Sequence, residues 1–171
     1  AYATGGTPRM VRVNQQLGGL PTRNFQEGVF EGWESLAVES MEKKIIVGRD
    51  TCYGCPIRCK WIAKVDNDRF TVDPGYGGPE YETVGAFGSV CGCDDIEAVA
   101  MANQLCNANG LDTIGTGMTI AFAMECYERG LIGPEQTGGL ELRFGNGDAM
   151  LTLVRQIAAR EGFGNLLAEG S

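Results

Sequence analysis

The sequence predicts a mainly α, multihelical domain with at most a small β-hairpin, and three observations carry that prediction. From Pro79 onward, apolar residues recur at helical spacing in segments that open on Pro, Asp or Thr and close on Gly. Strand-like runs are confined to two short stretches around an Asp/Asn turn. Finally, 26 glycines in 171 residues promise many helix stops, while 43% hydrophobic and 21% charged residues describe a globular chain rather than a disordered one. A chain of this length buries a core as a single domain without staples.

The elements follow in order. Thr7 and Pro8 read as N-cap and first position of a helix to Leu17, ended by "GGLP". "RNFQEGVFEGW" is an irregular connection, and a second helix is expected over Glu34 to Lys44, acids early and lysines late, as the helix dipole favours. After "TCYGCPIRCK", the runs Trp61 to Val65 and Arg69 to Val72 form the expected hairpin. Helices then follow in "PEYETVGAFGSV", "DDIEAVAMANQLCNANG" and "TGMTIAFAMECYERG". The last of these is apolar nearly all round, so Ile120, Phe122, Ala123, Met124 and Tyr127 are expected in the core. "LIGPEQTGGLELRFGNG" is a turn-rich connection. "DAMLTLVRQIAAREG" puts Met150, Leu153, Val154 and Ile157 on one helical face, and "GNLLAEG" begins a further short helix.

A formal charge of −8 argues against a nucleic-acid surface, which needs clustered Lys and Arg. The longest apolar run, "GMTIAFAMECY", is too short for a membrane span, and no signal peptide is read at the start. Seven cysteines without export signals place the chain in a reducing, cytoplasmic setting, where clustered thiols serve more often as ligands than as staples. There is no histidine, which removes the commonest general base and the Cys/His zinc patterns. Both ends read as cut through structure, with no initiator Met and a final "AEGS".

Cys52, Cys55 and Cys59 have the spacing C-x2-C-x3-C. The first pair can share a tight turn; Pro56 can open a helical turn that brings Cys55 and Cys59 onto one face. Three thiolates then converge, as in an iron-sulfur centre whose fourth ligand is remote. Arg58 and Lys60 would offset negative charge there, or are simply solvated. Zinc is the strongest rival, and a C-x-x-C dithiol redox site or buried small residues are the others. Cys106 and Cys126 lie in helices expected to pack, and read as core. Cys91 and Cys93 flank a glycine before a helix start, where thiolate is favoured, and either could close a cluster.

Two further stretches carry acids. In "NANGLDT", Gly110 and Asp112 read on their own as a helix stop and the next N-cap. In "GPEYET", Glu80 and Glu82 read as partners of a helix dipole in solvent.

Taken with "LPTRNFQEGVFEG", "GPEYET", "ANGLDTIGTGMTIAFAMECYERGLI" and "LRFGNGDAMLTLVRQIAAREGFGNLLAEG", the cysteine motif resembles the tungsten-containing aldehyde:ferredoxin oxidoreductase family, over nearly the whole chain and in the family's order. The resemblance implies that residues 1–171 are a single helical domain cut from a larger enzyme, with the N-terminal β-rich domain and most of the last domain absent. It implies that Cys52, Cys55 and Cys59 ligate a [4Fe-4S] cluster whose fourth cysteine lies downstream of Ser171. It implies that Asn107, Gly110, Leu111 and Asp112 hold the polar edge of a tungsten-bis-pterin of molybdopterin type, with Asn107 standing where the family has Asp. A carboxylate such as Asp112 can accept hydrogen bonds from pterin N–H groups, and a left-handed Gly110 brings backbone close. Glu82 matches the family's glutamate facing the metal, where a carboxylate in a dry pocket would do acid/base work, with Glu80 as fallback.

The function these features imply is one part of an oxidoreductase that oxidises aldehydes to carboxylic acids and passes electrons through the cluster to ferredoxin. The excised chain alone is expected to be silent. Expected partners are the remaining domains, ferredoxin and the aldehyde. The other reading is a non-catalytic helical module folded around zinc or an iron-sulfur centre.

Overall fold

A computed structural model describes residues 2–171. Its described residues form ten α-helices and two small two-stranded antiparallel sheets, the mainly α fold that the glycine-bounded helical segments predict. The chain starts with α1 (Tyr2–Gly5), a single 3-10 turn (Thr7–Arg9) and α2 (Met10–Gln16). The N-cap of that turn is Gly6, not Thr7. The Thr7 hydroxyl is used elsewhere: it accepts from the Tyr81 N–H at 2.9 Å and donates to the Glu80 carboxylate.

The helix expected over Glu34 to Lys44 is two helices, α3 (Trp33–Leu36) and α4 (Val38–Lys44). Ala37 between them is extended, with ψ 160°, and begins α4 afresh so that both Leu36 and Met41 are buried. The hairpin also differs. Strand β1 (Ile46–Asp50), which no sequence signal marks, pairs antiparallel with β2 (Lys60–Ala63). Only the end of the run beginning at Trp61 turns back on its expected partner, as β3 (Val65–Asp66) against β4 (Thr71–Val72). The cysteine segment, residues 51–59, is therefore the connection of the β1-β2 hairpin.

The helical body begins with α5 (Tyr81–Val84), which runs directly into a fully buried π-helical turn at Gly85–Ser89. Next comes α6 (Ile96–Asn109), with the Asp95 carboxylate capping the N–H groups of Glu97 and Ala98, and then α7 (Thr113–Glu128). A short α8 (Pro134–Thr137) interrupts the turn-rich connection before α9 (Gly147–Ala159) and α10 (Gly162–Leu167). α9 lies between α6 and α10, and α7 packs on the π turn and α5. Met150, Leu153, Val154 and Ile157 of α9 face inward as their spacing predicts.

One expectation about α7 is corrected. Ile120, Ala123 and Met124 are buried and Tyr127 is half-buried, but Phe122 is 48% exposed. The helix is not central; its turn toward the π segment is buried, and the opposite side borders an open apolar groove toward α10, where Phe122, Cys126, Phe163 and Leu166 meet. No described helix is long and apolar enough to cross a membrane.

Candidate functional site

The cysteine loop is open. Cys52 is exposed, Cys55 and Cys59 are half-buried, and none is in a disulfide. Its first turn is closed by the Cys55 N–H donating to the Cys52 carbonyl at 3.0 Å. The helical turn expected after Pro56 does not form: the Thr51 hydroxyl takes the Cys55 carbonyl at 2.6 Å, and Arg58 adopts a left-handed φ of 55°, which breaks any helix there. Cys55 and Cys59 are thus not on one helical face. Among the described residues no three His, Cys, Asp or Glu side chains stand ready as a metal cage. The donors fit a metal centre in kind and access, being three free thiols on one accessible loop, and the loop would close around the ion as it binds, since ligand sites of this type form with their metal.

Cys91 and Cys93 lie in the core, with the Cys91 Sγ donating to the Gly117 carbonyl at 3.5 Å. Burial pushes the Cys91 thiol well above its ordinary value and Cys93 up to about 11, so the helix start expected to favour thiolate is outweighed by desolvation. Cys106 is likewise buried and raised to about 11 by desolvation, whereas Cys126 is half-buried at the apolar groove.

Beside the loop, a cavity of about 330 Å³ is lined by Cys52 and Lys60 from the hairpin, Glu80 just before α5 and Thr83 within it, Asn103 and Asn107 from α6, and Thr113 from α7. The two helix starts are joined here, Thr83 and Thr113 sharing a hydrogen bond of 2.9 Å between their hydroxyls. Asn107 donates from Nδ2 to the Asn103 carbonyl at 2.9 Å, which leaves its Oδ1 free to accept. Sequence reading missed Asn103, Thr83, Thr113 and Lys60 as cavity residues. Asn103 was accessible to it, lying one helical turn before Asn107 on the same face.

Gly110, Leu111, Asp112 and Glu82 do not line this cavity. Gly110 is left-handed, φ 68°, and ends α6; a side chain there would meet open space, so conformation alone requires glycine. Asp112 is exposed and caps α7 through the Gly115 N–H, while Leu111 is half-buried; both line a neighbouring depression with Thr116 and Leu167. Glu82 is exposed rather than in a dry pocket, on the rim of a third, apolar depression with Pro21, Ile114 and Met118. Glu80 is half-buried and held by Thr7. The structure therefore brings Cys52 to Asn107, and sets Asp112 and Glu82 on either side of the α7 start.

Opposite charges hold the base of the loop. Lys60 and Asp50 face each other across the ladder, 3.5 Å between Nζ and Oδ2, and Asp50 is held below its usual carboxylate range, first by the backbone at Thr51 and then by Lys60 and Arg58.

Comparisons with known proteins bear on the fold and the family. A solved structure of the active-site complex BamBC of benzoyl coenzyme A reductase, with 1,5-dienoyl-CoA, shares the fold at a TM-score of 0.66 and 20% identity, covering 96% of this chain and 25% of that one. The aliphatic sulfonate oxidoreductase, WOR-like subunit, of Pyrococcus furiosus is 32% identical over 88% of the chain and 24% of its own length. Tungsten-containing aldehyde ferredoxin oxidoreductases of Pyrococcus abyssi and Pyrococcus furiosus are 41% and 40% identical over 96% and 97% of the chain. The chain spans 27% of the length of either. The family described as "Aldehyde ferredoxin oxidoreductase, domains 2 & 3" matches residues 1–171 from end to end, and the chain belongs to that family.

Proposed function

We propose that residues 1–171 form a helical unit of a larger oxidoreductase that converts an aldehyde and water to a carboxylic acid, two protons and two electrons, and delivers the electrons through a [4Fe-4S] cluster to ferredoxin. The observation that carries this reading is the cavity lined by both Cys52 of the thiol loop and Asn107 of α6. An electron path needs its two cofactors close together, and a loop and a helix end that share one cavity would hold them so.

Cys52, Cys55 and Cys59 supply three thiolates to the cluster. Asn107 offers its Oδ1, and Asp112 its carboxylate, to N–H groups of the pterin, with Gly110 and Leu111 setting the backbone between them. A tungsten-pterin held by these residues would supply Lewis acidity and an acceptor for the two electrons. Glu82 takes the proton released as water adds to the carbonyl carbon and passes it to solvent; exposed on this unit, it would work from the face that the rest of the enzyme covers.

The test is aldehyde-dependent reduction of ferredoxin by the holoenzyme. Glu82→Gln keeps the shape and removes the base, so kcat should fall by about 10² to 10⁴ with KM little changed. Unaltered kcat would remove Glu82 from the reaction.

A further inference from the structure

The cysteine loop leaves the β-hairpin between two opposite charges. Asp50 is the last residue of β1 and Lys60 the first of β2; they face each other in the ladder and form an ion pair of 3.5 Å. Lys60 follows Cys59 directly and lines the same cavity as Cys52. It is the one Lys or Arg in that cavity's lining. Its side chain is 42% exposed, partly shielded from water. Arg58 lies one residue before Cys59, exposed on the loop and with no ion pair among the described residues.

We propose that Lys60, kept in place by Asp50, sets the reduction potential of the cluster held by the adjoining loop, as a positioning residue acting through its charge. This rests on the cluster reading given above. Reduction adds an electron to a centre already negative from its thiolates, so a fixed ammonium beside it favours the reduced state and raises the potential. Asp50 does two opposing things. It anchors Lys60 through the ladder, and its own charge acts against reduction.

The experiment is redox titration of the anaerobically purified holoprotein, following the EPR signal of the reduced cluster, with iron and sulfide content measured in every variant. Lys60→Gln should lower the potential. The expected size is about a tenfold change in the oxidised-to-reduced ratio, the order one unit charge exerts near a partly solvated surface, which is about 59 mV for one electron. Lys60→Arg should restore most of it. Arg58→Gln, lacking an anchored position, should move it less. An unchanged potential in Lys60→Gln with full iron and sulfide overturns the proposal, as does an equal shift in Arg58→Gln, which would make net charge the cause. If Lys60→Gln does not load its cluster, Lys60→Met decides: a lowered potential supports the proposal and an unchanged one overturns it. Absence of iron and sulfide from the wild type overturns instead the cluster reading beneath it.

Discussion

At Gly117, α7 comes so close to the π turn that an added Cβ would stand 2.8 Å from the Ala86 Cβ. Gly117→Ala should therefore cost about 1 to 3 kcal/mol, read as a lower urea midpoint at unchanged slope. Asp112 allows its two roles to be separated. Asp112→Ala loses the cap of α7 and should cost about 1 kcal/mol, whereas Asp112→Asn caps equally well and should leave stability within a few tenths while weakening any pterin contact. The caps at Asp95, Gly110 and Asp112 were legible in the sequence because capping is local: a carboxylate accepts from an N–H two or three residues on, and a left-handed glycine closes the helix it follows. Thr7 was not: it looks like a cap for its own helix, but its partners are Glu80 and Tyr81, 73 and 74 residues away.

Among the elements, the long helices were readable and the hairpin was not. α6, α7 and α9 carry their signals in period and boundary residues. β1 spends five residues on "IVGRD", with a glycine and two charges, and owes its strand form to β2 across the cysteine loop. The same pairing makes residues 51–59 an exposed connection, a feature with a chemical consequence. In unloaded protein at about pH 8, iodoacetamide should modify Cys52, Cys55 and Cys59 and leave Cys91, Cys93 and Cys106 unreacted until the fold opens, as mapped by peptide mass spectrometry. Early modification of Cys91 or Cys93 would contradict their burial. The candidate site was legible as residue types, since clustered thiols and the helix junction stand out, but the cavity uniting them depends on Lys60, Thr83 and Thr113 from separate elements. Only the folded chain brings those together.

For the whole molecule, the buried thiols give stability a pH dependence of defined sign. Desolvation raises Cys93 from about 9 to about 11, so the folded chain keeps a proton that the unfolded chain releases. That contribution is complete below about pH 9 and is lost as pH rises from 9 to 11, roughly 3 kcal/mol in all. Cys93→Ala should flatten that part of the urea-midpoint profile. The proposed activity belongs to a larger assembly, because the chain spans 27% of the length of its tungsten-containing relatives and leaves Glu82, Asp112 and Cys52 exposed. Its metal is the most direct point of attack. Iron, acid-labile sulfide and zinc should be measured in anaerobically purified holoprotein. The expected result is roughly four irons and four sulfides per chain, without zinc, lost in Cys52→Ser, Cys55→Ser and Cys59→Ser and kept in Cys91→Ala and Cys93→Ala. Zinc with neither iron nor sulfide, or metal lost from the folded Cys91→Ala or Cys93→Ala protein, would contradict it.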